Sequence, residues 1–166
     1  MTIRIAKLEN LPQIVEIYNQ AVALKGATAD TKPLAVDDRQ RWIVDHTPDQ
    51  YPIWVAEDNR VILGWCSLSP YRPCRMALRH TIEISYYIHE AYRRKGVGSA
   101  LMQHAIYQCE GLKIKTLFAL LLDINVGSIS LLEKFGFAKW GHMPNVADFD
   151  GEEYGHLIYY GKRVSL

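Results

Sequence analysis

Two glycines separated by one residue join a predicted strand to a predicted helix, and this junction restricts the fold more than any other feature. The strand spans Thr81 to Ile88, and the helix runs from about Val97 to Cys109 with its apolar residues on one side. Gly96 and Gly98 allow the backbone to come close to a ligand, so that successive N–H groups point outward. Because a helix N-terminus adds about half a positive charge, the junction suits a phosphate or pyrophosphate.

Well-known glycine motifs fit this junction only in part. A dinucleotide-binding turn requires glycine or alanine where the chain has Leu101, and the GxxxxGK[ST] phosphate loop is absent. Arg93, Arg94 and Lys95 precede the glycines and add positive charge. The glycines alone therefore leave two readings equally open: a phosphate site, and an ordinary strand-to-helix turn beside a solvated basic run.

The remaining apolar patterns predict one α/β domain over residues 1–166 with a mixed sheet, in the order β-α-α-β-β-β-α-β-α-β-β. Residues 53–57 and 61–69 read as a hairpin around a short polar turn. The segment 116–122 lacks alternation, which is typical of a strand buried on both faces. Asn10 is predicted to cap the first helix, and Gln13 to complete a capping box with it.

The composition excludes several broad classes of protein. Nineteen lysines and arginines against 18 acidic residues give a net charge of +1, which argues against a broadly basic nucleic-acid binder. The longest aliphatic and aromatic run, 117–122, is far shorter than the roughly 20 residues that cross a bilayer. Arg4 and Lys7 interrupt the opening segment, so no signal peptide is predicted. Three cysteines without CxxC spacing predict reduced thiols in a cytoplasmic protein, and histidines without a ligand pattern predict no metal. From the balanced charge and the short apolar run, no nucleic-acid or membrane partner is expected.

Two sequence blocks together carry a family resemblance. From Arg93 to Gly98 the chain reads Arg-x-x-Gly-x-Gly, and from Asn125 to Phe137 it reads Asn-Val-Gly-Ser-Ile-Ser-Leu-Leu-Glu-Lys-Phe-Gly-Phe. The blocks resemble the pyrophosphate loop and the following helix of the GNAT N-acetyltransferases, in the same order. The resemblance implies the acyl-CoA N-acyltransferase fold of that family, in which helices flank a mixed, mostly antiparallel central sheet.

Other segments resemble the phosphinothricin acetyltransferase branch of this family. The strand from Thr81 to Ile88 is similar to the branch pattern Thr-Val-Glu-x-Ser-Val-Tyr-Val, and residues 69–72 read Ser-Pro-Tyr-Arg. The C-terminal part departs from the branch, because Asn145 to Gly151 stands where a Lys-Phe-Gly-x-Trp segment is usual. The resemblance to this branch also implies a homodimer.

The resemblance implies acetyl-CoA as the cosubstrate, with no metal. Its pantetheine arm is expected along the fourth strand and its pyrophosphate at the glycine turn, and Asn125 matches the residue that hydrogen-bonds the arm. The predicted cofactor residues are Tyr86, Tyr87, Ile88, Arg93, Arg94, Lys95, Gly96, Val97, Gly98, Ser99, Asn125, Ser128 and Lys134.

Glu83 is the predicted general base. An alkyl ammonium has a pKa near 10 and must lose a proton before it attacks, and Glu83 matches the glutamate that does this in the branch. The other reading makes Glu83 a polar residue on the solvent face of an alternating strand. No general acid is assigned, because Leu132 stands where the family has tyrosine or histidine. The reaction can also proceed without a general acid, since a thiol pKa near 8.5 makes the thiolate a tolerable leaving group. The alternatives are Tyr154, His156, Tyr159 and Tyr160.

Aromatic and basic side chains predict the acceptor. In the resembling branch, several segments flank the thioester end of the cofactor. In this chain the same segments contain five aromatic or basic residues: Tyr18, Trp65, Tyr71, Arg72 and Arg75. Aromatic residues with one or two guanidinium groups suit a compact acid that carries a primary amine. Four C-terminal acids either favour a cationic acceptor or form a solvated turn: Asp148, Asp150, Glu152 and Glu153.

The sequence therefore predicts acetyl transfer from acetyl-CoA to the primary amine of a small molecule, by direct attack in a ternary complex, since no nucleophile motif is present. An amino acid analogue such as phosphinothricin or methionine sulfone is expected ahead of spermidine. The alternatives are a protein or peptide N-acetyltransferase and a non-catalytic acyl-CoA-binding module.

Overall fold

A computed structural model describes residues 1–149, 151 and 154–164. Its strands are β1 (Thr2–Ile5), β2 (Ile53–Asp58), β3 (Val61–Pro70), β4 (Thr81–Ile88), β5 (Thr116–Leu122), β6 (Ala138–Asp148) and β7 (Tyr154–Arg163). They form one sheet in the order β1-β2-β3-β4-β5-β7-β6, with β4 and β5 parallel and every other pair antiparallel. The predicted mixed, mostly antiparallel sheet is confirmed.

Helices lie on both faces of this sheet: α1 (Leu11–Ala23), α2 (Gln40–Asp45), α3 (Val97–Gln108) and α4 (Val126–Lys134). On one face, Ile14 and Tyr18 of α1 belong to a buried cluster with Trp65 of β3. On the other face, Leu101 of α3 and Leu132 of α4 belong to a second cluster that includes apolar residues of β4 and β5. The sheet therefore separates two apolar clusters, and most of the fold's stabilising burial lies in them.

The start of α1 differs from the sequence prediction. The Asn10 side chain makes no capping hydrogen bond to α1; its Oδ1 accepts hydrogen bonds from the Arg4 guanidinium and the Lys7 backbone N–H, both 2.9 Å away. Gln13 does not complete a capping box, because its Oε1 accepts the backbone N–H of Ile62 at 2.9 Å. The predicted capping box is wrong, since Asn10 is occupied by residues that precede it and Gln13 by Ile62, which is distant in sequence.

β4 and β5 pair over only part of their length. Their register runs from Thr81 beside Thr116 to Glu83 beside Phe118, and no further pairs follow within the described part of the chain. Beyond that point β4 continues along β3 as far as Ile88, while β5 continues along β7. The two strands therefore separate after Glu83, and the backbone edges that face the gap are open to a ligand.

β5 follows the predicted burial pattern with one exception. It is buried along its length apart from Leu120, which is 38% exposed. Leu120 lies in the part of β5 that has separated from β4, so the exception marks the gap between the two strands.

Within the described ranges, no helix is both long and apolar enough to cross a membrane. The same residues contain no group of three or more histidine, cysteine and acidic side chains placed to hold a metal ion. Cys66, Cys74 and Cys109 are unpaired, and Cys66 and Cys109 are buried.

Candidate active site

The gap between β4 and β5 widens into a cleft of about 940 Å³. Residues 84–88 of β4 and 119–121 of β5 line its walls, the glycine turn and α4 line one end, and the segment 24–27 after α1 lies beside it. Except for Lys95 and Val97, every predicted cofactor residue lines this cleft. Lys95 is exposed with its ammonium 5.5 Å from the Tyr92 ring, and Val97 is buried in the core at 3% exposure.

The glycine turn presents the N-terminus of α3 to the cleft. Gly96 has a φ of +85° and precedes the helix, and Arg94 has a φ of +59°. A Cβ built on Gly98 lies 3.3 Å from Leu131 Cδ2, so α3 and α4 approach closely here. The first N–H groups of α3 have no carbonyl partners within the helix, and together with the helix dipole they attract an anion.

Basic side chains surround the same turn. Arg93 donates a hydrogen bond from Nε to the Ile88 carbonyl oxygen at 3.3 Å, which holds the side chain against β4. Lys134 donates from Nζ to Ser99 Oγ at 3.2 Å and so links the end of α4 to the start of α3. The turn therefore combines backbone donors with positive side chains, as binding of a pyrophosphate requires.

The start of α4 forms another wall of the cleft. Asn125 caps this helix, because its Oδ1 accepts the Ser128 backbone N–H at 3.1 Å. The Tyr86 hydroxyl lies 2.5 Å from Ser128 Oγ. Burial raises the pKa of Tyr86 to about 12, so the phenol remains protonated at neutral pH. Asn125 thus has a local structural role, and the Tyr86 hydroxyl bears its proton beside Ser128, which also lines the cleft.

Glu83 lies where β4 and β5 begin to separate, at the closed end of the gap. Its neighbours across the sheet are Ser69 on β3 and Phe118 on β5. The side chain is half-buried, and this burial raises the pKa of its carboxyl above the ordinary value. Glu83 is therefore a partly accessible carboxylate with an increased proton affinity, which suits general-base chemistry.

The predicted acceptor residues lie in two different environments. Trp65 is 4% exposed and donates its Nε1–H to the Ile14 carbonyl oxygen at 3.1 Å, and Tyr18 is 7% exposed with its hydroxyl hydrogen-bonded to Asp30. The structure does not bring these two side chains to the cleft surface, because α1 covers this part of β3. The Tyr71 ring packs edge-on against Phe118 with the centroids 4.5 Å apart.

The predicted basic residues of the acceptor region lie on the loop after β3. Arg72 and Arg75 are exposed, and the Arg72 guanidinium lies 5.4 Å from the centre of the Tyr71 ring. Arg72 is therefore connected through the Tyr71 ring to Phe118, which is the register partner of Glu83 on β5. Among the four predicted C-terminal acids, Asp148 is exposed, while Asp150, Glu152 and Glu153 lie outside the described residues.

The alternatives for a general acid are engaged elsewhere. Leu132 is fully buried in the core. Tyr160 is 5% exposed, and its hydroxyl donates a hydrogen bond to the Glu133 carboxylate. His156 Nδ1 lies 3.0 Å from His142 Nε2. The Tyr159 ring stacks on the Phe118 ring with the centroids 6.2 Å apart. The Tyr154 side chain is not among those described. Tyr86 and Tyr87 both line the cleft, and the Tyr86 hydroxyl contacts Ser128, another residue of the lining.

A family model for the acetyltransferase (GNAT) family matches residues 13–137, which include the β4–β5 gap and both sequence blocks. The chain belongs to the GNAT family. This GNAT chain is 42% identical over 166 residues to YwnH of Bacillus subtilis (strain 168), provisionally named a phosphinothricin acetyltransferase, with 99% of this chain and 100% of that protein covered. It is 34% identical over 158 residues to the L-methionine sulfoximine/L-methionine sulfone acetyltransferase of Pseudomonas aeruginosa, with 95% and 89% covered.

A solved GNAT structure resembles the whole chain. The structure of YncA from Salmonella typhimurium, provisionally named an acetyltransferase and solved with its cofactor acetyl-CoA, has a TM-score of 0.90 and 29% identity, and the match covers 99% of this chain and 94% of that one. These comparisons confirm the resemblance to the GNAT family and to its phosphinothricin acetyltransferase branch.

Proposed function

We propose that this GNAT protein transfers an acetyl group from acetyl-CoA to the primary amine of a small acid, an amino acid or an analogue of one. The observation that carries the proposal is the cleft that runs from the glycine turn along residues 84–88 of β4, together with the half-buried Glu83, which directly precedes this stretch at the point where β4 and β5 separate. The glycine turn suits a polyanion and Glu83 suits proton removal from an amine, which are the two requirements of this reaction.

The chain's own residues fit acetyl-CoA along this cleft. The N-terminus of α3, Arg93 and Lys134 bind the pyrophosphate at one end. The β5-facing backbone edge of residues 84–88 pairs with the pantetheine arm as it would with another strand. Bound acetyl-CoA supplies the activated acetyl group, and the protein holds and orients it.

Where β4 and β5 separate, Glu83 removes a proton from the acceptor ammonium. The raised pKa of Glu83 brings the proton affinity of the carboxylate closer to that of the amine, which makes the transfer less unfavourable. The neutral amine then attacks directly. None of the cysteines among the described residues lines the cleft, and two of them are buried, so an acetylated cysteine is not part of the proposed route.

Tyr86 stabilises the departing thiolate. Tyr86 lines the cleft, and burial raises the pKa of its phenol to about 12, further above neutral pH, so the phenol keeps its proton. The Tyr86 hydroxyl donates a long hydrogen bond to the Ser128 carbonyl oxygen at 3.5 Å, and its oxygen lies 2.5 Å from Ser128 Oγ. With the Ser128 hydroxyl donating to the phenol oxygen, the phenol hydrogen exchanges this long bond for one to the sulfur. This contact provides the stabilisation that Leu132 cannot give.

The acceptor region favours an amine that also carries an acid group. The half-buried Tyr71 ring packs on Phe118, the buried register partner of Glu83, and Arg72 lies against Tyr71. Arginine binds a carboxylate or phosphinate through two parallel hydrogen bonds. The names of the relatives, which mention phosphinothricin and methionine sulfone, support the same class of acceptor.

A panel of acceptors tests this function. Release of free CoA thiol is followed with phosphinothricin, methionine sulfone, spermidine and a lysine-containing peptide, and kcat/KM is compared. We expect one of the two amino acid analogues to give the highest value. A more than tenfold advantage for spermidine or the peptide, about 1.4 kcal/mol in transition-state binding, contradicts the acceptor class and leaves acetyl transfer intact.

We also propose a homodimer and a cytoplasmic location. Support for the dimer comes from β6, which lies at the sheet edge and exposes Trp140, Met143 and Val146. The unpaired cysteines suit a reducing compartment. Sedimentation equilibrium tests the dimer, and a monomer at micromolar concentration contradicts it.

A further inference from the structure

His46, the residue that follows α2, joins this helix to the strand beside Glu83. Its Nδ1 lies 2.7 Å from the Trp42 carbonyl oxygen, and its Nε2 lies 3.1 Å from Ser69 Oγ. The imidazole also packs against the Trp42 ring, with the centroids 4.9 Å apart. Both ring nitrogens are therefore engaged, and the ring is held in one orientation.

These contacts determine where the protons lie. A carbonyl oxygen only accepts, so Nδ1 must carry the hydrogen in the bond to Trp42. Burial lowers the pKa of His46, which favours the neutral ring. In the neutral ring Nε2 is an acceptor, so the Ser69 hydroxyl donates its hydrogen to His46. The lone pairs of Ser69 Oγ are then left to accept a hydrogen bond from another group.

Ser69 is also the register partner of Glu83 on the neighbouring antiparallel strand. Residues directly opposite each other in such a pair project from the same face of the sheet, with their Cβ atoms roughly 4.5–5.5 Å apart. Ser69 and Glu83 are both partly accessible. The two side chains therefore present a hydroxyl acceptor and a carboxylate acceptor next to each other, an arrangement that suits a primary ammonium with its several N–H donors.

We propose that Ser69, oriented by His46, is a second binding group for the acceptor amine of the reaction catalysed through Glu83. One N–H of the ammonium gives its proton to the Glu83 carboxylate, and its electron pair stays on nitrogen as the attacking lone pair. A second N–H donates a hydrogen bond to Ser69 Oγ and does not break. Ser69 contacts the substrate, and His46 is a positioning residue that acts through Ser69.

This inference rests on the proposed function, and a binding measurement separates the two. Methionine sulfone is titrated calorimetrically into the CoA-bound protein, which needs no turnover, and the Michaelis constants for amine and acetyl-CoA are measured in parallel. The variants are Ser69→Ala, His46→Phe and the double variant. His46→Phe retains an aromatic ring beside Trp42 and removes the acceptor of the Ser69 hydroxyl.

Two matched controls lie outside the site. His104 packs edge-on against Trp54 with the ring centroids 5.1 Å apart, so His104→Phe repeats the same ring replacement on another helix. Ser67 precedes Ser69 by two residues on the same strand and is 3% exposed, so Ser67→Ala repeats the loss of a hydroxyl away from the amine. Both controls are expected to keep the wild-type affinity for methionine sulfone.

Ser69→Ala is expected to weaken amine binding about fivefold or more, the effect of losing one hydrogen bond, with the KM for acetyl-CoA unchanged. His46→Phe is expected to weaken amine binding by a smaller factor, about two- to threefold, since Ser69 keeps its hydroxyl but loses its orientation. The double variant is expected to match Ser69→Ala alone, because His46 acts only through Ser69.

A wild-type affinity for methionine sulfone in Ser69→Ala overturns the inference. It is also overturned if the losses of amine affinity in the two single variants add up in the double variant, because His46 would then act through packing and not through Ser69. If the wild-type protein binds methionine sulfone without releasing thiol from acetyl-CoA, the proposed function fails. In that case the calorimetric effect of Ser69→Ala still decides the inference about the amine subsite.

Discussion

Replacing Asn125 separates a structural contact from a cofactor contact within one residue. The Asn125 Oδ1 atom caps α4 through the Ser128 backbone N–H at 3.1 Å, and Asn125 also lines the cleft. Loss of an N-cap side chain costs about 1 kcal/mol of stability. For a protein of this size, about 1 kcal/mol corresponds to a fall in Tm of roughly 2–4 °C, so Asn125→Ala is expected to show a fall of this size.

Asn125→Ser is the matched variant. Serine is as good an N-cap as asparagine, so the Tm is expected to stay close to that of the wild type. Serine has no side-chain amide, so the proposed hydrogen bond to the pantetheine arm is lost in both variants. One such bond contributes about 1 kcal/mol, roughly fivefold in an equilibrium constant. Both variants are therefore expected to raise the KM for acetyl-CoA about fivefold.

Differential scanning calorimetry and acetyl-CoA saturation curves measure the two effects separately. The expected pattern is a lowered Tm in Asn125→Ala alone and a raised KM in both variants. If Asn125→Ser has both the wild-type Tm and the wild-type KM for acetyl-CoA, Asn125 acts only as a helix cap. In that case the reasoning about the pantetheine arm at this position is refuted.

Three further substitutions test other parts of the cleft. Gly98→Ala places a methyl group 3.3 Å from Leu131 Cδ2 and is expected to weaken acetyl-CoA binding in calorimetry. Gly111→Ala, outside the cleft, is the control and is expected to bind acetyl-CoA like the wild type. Equal affinities of the two variants for acetyl-CoA refute the role of the glycine turn. Tyr86→Phe is expected to lower kcat about tenfold with the KM for acetyl-CoA unchanged, and a wild-type kcat removes Tyr86 from the reaction. Glu83→Gln is expected to raise Tm at neutral pH, because burial raises the pKa of Glu83 in the folded state and so disfavours its charged form. This gain should disappear below about pH 4, where the wild-type carboxyl is protonated in both states, and a gain that persists there contradicts the explanation.

Strand identity was predictable because it depends on local patterns. Thr81 to Ile88 and Thr116 to Leu122 have the bounds that their apolar patterns predict. The β2–β3 hairpin also forms as predicted, and Asn59 and Arg60 in its turn both have positive φ, as a tight two-residue hairpin requires. The capping box at Asn10 and Gln13 failed because the sequence does not show that Arg4 and Ile62 compete for those side chains.

The glycine turn and the surroundings of Glu83 differ in how far the sequence reveals them. The glycine turn is a contiguous motif that carries its own geometry, so its position at the N-terminus of α3 follows from sequence alone. The surroundings of Glu83 depend on strand register and on α2, which brings His46 to Ser69 across 23 positions of the chain. No local pattern signals that contact, and none shows that α1 covers Trp65.

Tyr86 is an intermediate case. The branch pattern has valine at its position, so the departure is visible in the sequence. Its significance appears only when the fold places the hydroxyl beside Ser128 in the cleft and leaves Leu132 fully buried. A departure from a family pattern is therefore a signal that needs the fold for its interpretation.

The most direct test of the account is the rate of thiol release by Glu83→Gln, with methionine sulfone as acceptor and pH as the variable. Glutamine keeps the shape of Glu83 and removes the base, so kcat is expected to fall on the order of 10²-fold at neutral pH, with the KM for acetyl-CoA unchanged. The deficit should shrink as pH rises toward the pKa of the amine, because solvent then supplies the free amine. A wild-type kcat at neutral pH, or a deficit that does not change with pH, contradicts the assignment of Glu83 as the base.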